Sequence, residues 1–287
     1  MNQIPAQVGV LGGGRMGAGI AHAFALAGTN VQVVERDIES VAQARSRVLA
    51  AILVSIQKGS TPESLEDITA RVGFSTDVAA FEQAGLVVEA VPESLELKRE
   101  ALSRVERVLG DEAWLASNTS SISISKLAEQ LDRPDRFCGM HFFNPVPSSK
   151  LVEIVVGEHT SSDFTACAVD WIEELGKTPI VVRDVPGFAS SRLGVAIALE
   201  AIRMLEDNVA SAEDIDAAMV LGYGHPMGPL KLTDLVGLDV RLGIAEYLEA
   251  TLGERFAPPE LLRQKVALGE LGRKSGKGFY EWAGEAN

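Results

Sequence analysis

The chain has 287 residues, of which 46% are hydrophobic and 23% charged, as expected for one or two globular domains with substantial cores. Its formal net charge of −14 argues against nonspecific nucleic-acid binding, because phosphate contacts need clustered cations. No basic residue precedes Arg15, and polar residues interrupt the uncharged stretch 16–34, so neither a secretory signal nor a membrane segment is predicted. We therefore expect a soluble, cytoplasmic protein.

The first 185 residues alternate strand and helix patterns, which is typical of βαβ units in a mostly parallel, doubly wound sheet. The predicted strands are Val8–Leu11, Val31–Glu35, Val72–Ser75, Leu86–Ala90, Trp114–Ser117, Phe137–Phe142, Leu151–Val156 and Ile180–Val182. The predicted helices between them include Arg15–Ala27, Ile38–Lys58, Ser94–Leu109 and Ser125–Leu131.

After the sequence DVPG at Asp184–Gly187 the strand patterns nearly vanish. The predicted helices beyond it are Ser190–Glu206, Ala212–Val220, Leu232–Thr251 and Pro259–Leu268. We predict an α/β fold, in which an N-terminal Rossmann-type doubly wound sheet (residues 1–185) is followed by an all-α C-terminal domain (residues 186–287). The first of these helices is apolar with few charges, so we expect it in the core or at a dimer interface.

A glycine-rich turn follows the first strand. The stretch VGVLGGGRMGAGIA places Gly12, Gly14 and Gly17 in G-x-G-x-x-G spacing, between an apolar strand and a helix of small residues. In that context the glycines permit a tight turn, close approach of a pyrophosphate and close packing of helix on strand. The N–H groups at the helix N-terminus favour an anion there, so the stretch predicts a dinucleotide site.

Glu35 ends the second predicted strand, 18 residues after Gly17. A carboxylate in this place accepts hydrogen bonds from ribose hydroxyls and repels a 2′-phosphate, which favours NAD over NADP. Arg36 is adjacent and could accommodate a phosphate, which leaves NADP as the alternative.

Three polar clusters follow later strands, and open α/β sheets bind ligands at the carboxyl ends of their strands. The clusters are VPES with Glu93, SNTSS with Asn118 and Ser120, and MHFFNPVP with His141 and Asn144. Helix capping and plain loop structure are the alternative interpretations of these polar residues.

His141 leads the candidates for acid–base chemistry, because histidine is the side chain that titrates near neutral pH. Glu153 lies twelve residues later, in the apolar run KLVEIVV, where a carboxylate needs a partner and an imidazole would serve. From these residues alone, a structural, hydrogen-bonded histidine is the alternative. The two cysteines, Cys138 and Cys167, fit no metal motif, and we predict no metal site.

Seven ordered motifs, spread over nearly the whole chain, resemble the short-chain L-3-hydroxyacyl-CoA dehydrogenases, including bacterial 3-hydroxybutyryl-CoA dehydrogenases. They are GGGRMGAGIA, EAVPESLELK, SNTSSISI, HFFNPVPSSKLVEIV, PGFASSRL, AMVLGYGHPMGPLKLTDLVGLD and GRKSGKGFY. The resemblance implies an NAD-binding Rossmann domain and a helical domain that forms a homodimer. It also implies reversible oxidation of an L-3-hydroxyacyl-CoA to a 3-ketoacyl-CoA by NAD⁺, as in fatty-acid β-oxidation.

The resemblance further implies roles for single residues. His141 matches the catalytic base, Glu153 the carboxylate that orients it, and Ser120 and Asn144 residues around the substrate oxygen and the nicotinamide. The implied NAD contacts are Gly12, Gly14, Arg15, Met16, Gly17, Glu35, Glu93, Lys98, Asn118, Ser120, Asn144 and Lys274. The implied substrate contacts are Ser120, Ser191 and, at the phosphates of CoA, Lys58, for which a merely solvated helical lysine is the alternative.

Ser191 marks one departure from the family pattern P-G-F-x-x-N-R, because this chain reads PGFASSR where an active-site asparagine is expected. A serine keeps one donor and acceptor but loses the reach of the amide, which leaves the substrate detail open. The alternatives are a dehydrogenase of L-gulonate or carnitine type, an enzyme for acyl-carrier-protein thioesters, and a nonenzymatic NAD-binding structural protein of the kind used in eye lens. The form of the HFFNPVP motif favours acyl-CoA.

Overall fold

The computed structural model describes residues 2–282, and the chain divides into two compact units, Met1–Asp184 and Val185–Asn287. The last five residues of the predicted helical domain, 283–287, lie outside the described residues. The strands of the first unit are β1 Gln7–Leu11, β2 Asn30–Val34, β3 Val72–Ser75, β4 Leu86–Glu89, β5 Trp114–Ser117, β6 Phe137–Phe142, β7 Leu151–Val156 and β8 Thr178–Arg183. Its helices are α1 Arg15–Leu26, α2 Ile38–Gln57, α3 Leu65–Ala70, α4 Leu95–Glu106, α5 Ile124–Ala128 and α6 Ser162–Glu174.

The eight strands form one sheet in the order β3-β2-β1-β4-β5-β6-β7-β8. Neighbouring strands run parallel except β6 and β7, which are antiparallel. The central strands are buried on both faces, as in β4, where all four residues are inaccessible, because helices cover the sheet on each side. The predicted fold class, a doubly wound Rossmann-type sheet, is confirmed.

The antiparallel pairing of β6 with β7 follows from the length of their connection. Residues 143–150 join the two strands, and so short a segment cannot hold the crossover of a dozen or more residues that a parallel pair needs. The chain therefore turns back on itself, and the register places His141 directly opposite Glu153. Opposite residues of an antiparallel pair project from the same face of the sheet.

Most helices of the first unit begin at a residue that can cap their free N–H groups. Asp37 accepts from the Ser40 amide at 2.7 Å at the start of α2, and Ser161 accepts from the Phe164 amide at 3.2 Å at the start of α6. Helix α1 differs, because Gly14 occupies its N-cap position and supplies no side chain. Its first N–H groups are thus left without a side-chain cap.

The second unit consists of α7 Ser190–Glu206, α8 Ala212–Tyr223, α9 Pro229–Val236, α10 Leu238–Leu252 and α11 Glu260–Ala267. The single predicted helix Leu232–Thr251 is wrong, because Gly237, at φ 106°, separates α9 from α10. Glycine tolerates this left-handed backbone, which a helix cannot accommodate. None of the helices in the described residues is long and apolar enough to cross a membrane.

Two buried carboxylates tie the C-terminal segment to the helices of the second unit. Asp234 accepts from the amides of Phe279 and Tyr280, both at 2.9 Å, and from the indole of Trp282 at 2.8 Å. Asp216 accepts from the Tyr280 hydroxyl at 2.8 Å. The segment around residues 216–239 therefore supplies the hydrogen-bond acceptors for donors in the segment around residues 272–280, and the two segments are held together.

Candidate active site

The ends of four parallel strands bring the predicted polar clusters to one edge of the sheet. Strands β1, β4, β5 and β6 are consecutive neighbours and run in the same direction. The strand order reverses between β1 and β4, and ligands of doubly wound folds bind outside the carboxyl ends of the strands at such a point. The segments that leave these ends are 12–14, 90–94, 118–123 and 143–150.

The glycine loop fits a dinucleotide pyrophosphate. Gly12 has φ 92°, which permits the tight turn after β1, and its amide donates to the Val34 carbonyl of β2 at 2.8 Å. A Cβ at Gly17 would lie 1.7 Å from the Gly12 carbonyl oxygen, so only glycine lets α1 approach the strand. A Cβ at Gly14 would meet nothing within 4 Å, so open space lies beside the uncapped helix N-terminus. Arg15 is exposed and Met16 half-buried in the first turn.

Glu35 stands at the end of β2, where its carboxylate is held by the glycine loop itself. Its Oε1 accepts from the Gly13 amide at 2.7 Å, and its Oε2 accepts from the Arg36 amide at 3.2 Å. The Arg36 side chain donates to Asp37 at 3.0 Å. A fixed carboxylate beside the pyrophosphate loop fits the ribose hydroxyls of a bound dinucleotide.

His141 and Glu153 form a buried pair on β6 and β7. The imidazole Nδ1 lies 2.7 Å from Glu153 Oε2, and the two side chains are 6% and 0% exposed. An ionised carboxylate can only accept, which assigns the hydrogen to Nδ1 and the lone pair of the neutral ring to Nε2. The Phe143 ring packs against the imidazole with centroids 4.4 Å apart. The sequence-predicted pair is thus brought together by the sheet register.

Asn118 and Glu93 brace the loop that follows β5. Asn118 Oδ1 accepts from the Phe142 amide at 2.8 Å, which ties this loop to the residue after His141. Glu93 Oε1 accepts from the Thr119 hydroxyl at 2.6 Å and from the Ser120 amide at 3.0 Å. The loop that carries Ser120 is therefore fixed at Asn118, which contacts β6, and at the amide of Ser120 itself, which contacts Glu93.

Beneath these loops lies a buried ion pair that sequence reasoning missed. Lys98, predicted as a cofactor contact, is fully buried and donates to Glu89 Oε1 at 2.8 Å and to the Val91 carbonyl at 3.1 Å. Glu89 is also fully buried, and it accepts from the Ser117 hydroxyl at 2.5 Å. The sequence did contain a signal for this pair, because Glu89 is a carboxylate in the apolar run LVVE, as Glu153 is in KLVEIVV, and a buried carboxylate needs a partner. Lys98 Nζ lies 3.4 Å from Glu93 Oε2 as well.

The remaining predicted residues are more exposed. Asn144 and Lys58 are exposed, in the loop after β6 and at the end of α2. Ser191 and Lys274 belong to the second unit: Ser191 is the second residue of α7, and the Lys274 ammonium pairs with Asp239 at 2.5 Å.

A second buried histidine, His22, lies in α1. Its Nε2 is 2.8 Å from the Ser55 hydroxyl, and burial, aided by the charge of Lys177, lowers the pKa of His22 to about 4. The ring is therefore neutral near pH 7, so it carries no charge for the site. Burial also raises the pKa of the Cys138 thiol, which makes it unreactive. Within residues 2–282, no group of three or more His, Cys, Asp or Glu side chains is arranged to hold a metal ion.

Comparison with known proteins identifies the family. Residues 7–185 match the model of the 3-hydroxyacyl-CoA dehydrogenase NAD binding domain, and residues 187–282 match that of the 3-hydroxyacyl-CoA dehydrogenase C-terminal domain. The chain belongs to the 3-hydroxyacyl-CoA dehydrogenase family. The predicted resemblance and the predicted enzyme class are thereby confirmed.

Individual relatives cover nearly the whole chain. A probable 3-hydroxybutyryl-CoA dehydrogenase of Deinococcus radiodurans is 41% identical and aligns over 96% of this chain and 99% of its own length. The human mitochondrial hydroxyacyl-coenzyme A dehydrogenase is 39% identical, over 96% of this chain and 90% of its own. The crystal structure of (S)-3-hydroxybutyryl-CoA dehydrogenase PaaH1 from Ralstonia eutropha is 40% identical, with a TM-score of 0.92 and coverage of 97% and 99%.

Proposed function

We propose that the protein interconverts L-3-hydroxyacyl-CoA and 3-ketoacyl-CoA, with short-chain substrates such as 3-hydroxybutyryl-CoA and acetoacetyl-CoA. The observation that carries the proposal is the buried His141–Glu153 pair at 2.7 Å, beside the carboxyl ends of strands in an NAD-binding sheet. Relatives of about 40% identity, named for 3-hydroxybutyryl-CoA, support the substrate class.

In this proposal His141 is the general base for the C3 hydroxyl. When bound, NAD⁺ supplies the hydride acceptor. Nε2 of His141 takes the hydroxyl proton while the C3–H bond breaks, so the alcohol becomes a ketone and the ring becomes an imidazolium. Glu153 holds Nδ1–H in the required tautomer and stabilises the positive charge that forms. In the reverse direction the same imidazolium returns the proton to the developing alkoxide oxygen.

We propose that Ser120 and Asn144 contact the substrate oxygen and the nicotinamide. The bracing of the Ser120 backbone by Glu93, at 3.0 Å, supports this role, since donors that polarise a carbonyl must be fixed beforehand. Asn118 acts through the amide of Phe142, and Lys98 acts through Glu93 and Val91, because its own ammonium is enclosed by protein groups.

For the cofactor, we propose NAD in preference to NADP. The Glu35 carboxylate is fixed at 2.7 Å on the Gly13 amide, so it cannot swing away from a 2′-phosphate. Arg36 is partly neutralised by Asp37 at 3.0 Å, which weakens the competing phosphate site. The exposed N-terminus of α1 takes the pyrophosphate, and Arg15, Met16 and Lys274 complete the proposed contacts.

We further propose a cytoplasmic homodimer that assembles through the helical unit, residues 186–287. Large exposed apolar side chains concentrate in that unit: Leu193, Ile197, Val209, Leu221, Tyr223, Leu232, Val236, Val240 and Leu268. Both cysteines are free thiols, which suits a reducing compartment. Lys58, exposed at the end of α2, is the proposed contact for a CoA phosphate.

The test measures the turnover of acetoacetyl-CoA with NADH and with NADPH. The same enzyme is assayed in parallel on an acyl-carrier-protein thioester, on L-gulonate and on carnitine, each with the oxidised or reduced cofactor that its reaction needs. We expect acetoacetyl-CoA and NADH to be preferred. In His141→Gln, kcat should fall roughly 100-fold or more while NADH affinity stays near normal, because only the group that donates the proton to the alkoxide oxygen is lost. The exposed His159 provides the matched control, since His159→Gln should leave both quantities unchanged. No turnover of acetoacetyl-CoA with either cofactor would overturn the proposal.

A further inference from the structure

The loop 143–150 follows β6 and lies next to the proposed general base. The Phe143 ring packs on the imidazole of His141 with centroids 4.4 Å apart, so a shift of this loop would move a neighbour of the base. The Asn144 side chain is exposed, and its place is therefore set by the backbone on either side of it. Contacts that fix the loop also fix Phe143 and Asn144 relative to His141.

Lys177 lies in the turn between α6 and β8 and holds this loop by its side chain. Its ammonium donates to the Val146 carbonyl and to the Ser149 carbonyl, both at 2.6 Å. Burial lowers the pKa of Lys177, and no carboxylate among residues 2–282 opposes that shift. The two carbonyl oxygens are therefore the groups that compensate the ammonium for the water it has lost.

The backbone on both sides of Lys177 is itself fixed. The Lys177 amide donates to the Ile172 carbonyl at 3.1 Å, in the turn that ends α6. The next amide, that of Thr178, donates to the Lys150 carbonyl at 2.6 Å, where β8 begins beside β7. An anchored backbone defines where the ammonium stands, and with it the positions of the two loop carbonyls that it binds.

The loop also packs on α1, the helix of the proposed dinucleotide site. Val146 is 2% exposed, and a Cβ added to Gly19 would lie 2.8 Å from the Val146 Cβ. The charge of Lys177 reaches the same helix, since it contributes to the lowered pKa of His22. The loop is thus held both by the ammonium and by the helix whose N-terminus is the proposed pyrophosphate site.

We infer that Lys177 is a positioning residue for hydride transfer, a role that rests on the proposed function. Lys177 acts through the loop: by holding two of its carbonyls, it keeps Asn144 and Phe143 in place beside His141. Loss of the ammonium frees the loop, and Asn144 then meets the nicotinamide and the substrate oxygen in the productive arrangement for a smaller fraction of the time. A misplacement of about 1 Å costs up to roughly 100-fold in rate.

The test is Lys177→Met, which keeps a long side chain and removes the ammonium. We expect the single-turnover rate of NADH oxidation by acetoacetyl-CoA to fall roughly 10-fold to 100-fold, while the Kd for NADH measured by calorimetry stays within about 2-fold of the wild type. Lys177→Arg, which keeps a charge without the compact ammonium, should fall in between. Lys126→Met removes an exposed lysine of the same unit and should leave both quantities unchanged.

Two further measurements separate positioning from a general loss of structure. The atoms missing in Lys177→Ala correspond to propylammonium, which can enter because Lys177 is half-buried, and adding it should raise the single-turnover rate, whereas propanol should not. Amide hydrogen exchange in the loop 143–150 should be faster in Lys177→Met than in the wild type. The amides of Ser148 and Ser149 report this directly, because both donate to the Pro145 carbonyl within the loop.

An unchanged single-turnover rate in Lys177→Met, or unchanged hydrogen exchange in the loop, would overturn the inference. A fall in NADH affinity as large as the fall in rate would also overturn it, as would a Lys177→Ala rate that propylammonium does not raise. If Lys177→Met does not fold, the rescue of Lys177→Ala and the rate of Lys177→Arg decide. Failure of all three variants to fold makes Lys177 a structural residue and refutes the inference.

The failures of the two proposals are distinguishable. If the wild type turns over acetoacetyl-CoA and Lys177→Met does so at the same rate, the positioning role fails alone. If the wild type turns over no acetoacetyl-CoA with either cofactor, the proposed function fails and the positioning role fails with it.

Discussion

Removing the charge of Glu89 tests the buried ion pair beneath the two loops of the site. In Glu89→Gln, Lys98 loses a fully buried partner at 2.8 Å and keeps only the Val91 carbonyl and the more distant Glu93, at 3.4 Å. Breaking a buried pair by removing one partner costs about 3 to 5 kcal/mol, against a total stability of about 5 to 15 kcal/mol. We expect about 3 kcal/mol here, the lower end of this range, because Glu93 remains as a second carboxylate near the Lys98 ammonium.

The double variant makes this prediction specific to the pair. Lys98→Met removes the other charge, so Glu89→Gln with Lys98→Met leaves no unpaired charge buried. Its cost should be smaller than the sum of the single costs by about 1 to 3 kcal/mol. Urea unfolding of the four proteins measures this difference, and the KM for NADH should rise in each single variant as the loops loosen.

The outcome that refutes this reasoning is additivity. If the two single costs sum to that of the double variant within about 0.5 kcal/mol, the charges are not coupled. The surface pair Arg263–Glu246 gives a matched control, because its side chains are 40% and 48% exposed. Its coupling should stay below about 1 kcal/mol, since water screens exposed charges.

Three further predictions concern single residues. Glu153→Gln should lower kcat roughly 100-fold or more without unfolding the protein, and an unchanged kcat would remove the carboxylate from its role. Gly17→Ala puts a methyl group 1.7 Å from a carbonyl oxygen, so it should lower Tm and abolish NADH binding measured by calorimetry. Gly14→Ala places its methyl group in open space, so it should keep the wild-type Tm and weaken only NADH binding. His22 has its pKa lowered to about 4, so the unfolded chain binds the proton more readily and stability falls as pH drops from 6.5 toward 4. At pH 5 the loss relative to pH 7 should be about 2 kcal/mol by urea unfolding, and it should disappear in His22→Gln.

The dinucleotide site could be predicted from sequence because its determinants are local. Gly12, Gly14 and Gly17 lie close together along the chain. The backbone requires glycine at Gly12, which has φ 92°, and at Gly17, where a Cβ would lie 1.7 Å from a carbonyl oxygen, whereas Gly14 leaves open space beside the helix N-terminus. Glu35 follows at the end of the next strand, and its bond to Gly13 joins two ends of adjacent parallel strands. Local periodicity and the order of the strands were therefore sufficient to predict where the dinucleotide site lies.

Helix boundaries in the second unit were harder to predict. The apolar pattern over Leu232–Thr251 is continuous, and it conceals the break at Gly237. A glycine inside a helical pattern can be tolerated, and only the observed φ of 106° shows that it ends one helix and begins another.

By itself, the sequence determined the class of fold, the dinucleotide loop and the residue types that could move a proton, because these depend on short-range spacing. Only the tertiary structure decided which side chains meet. A short connection after β6 reverses the chain, and the resulting register puts His141 opposite Glu153. The Glu89–Lys98 pair and the hydrogen bonds from Lys177 to the loop 143–150 arise where separate elements pack together. Such contacts depend on strand register and on the packing of helices against strands and other helices, and spacing along the chain alone specifies neither of them.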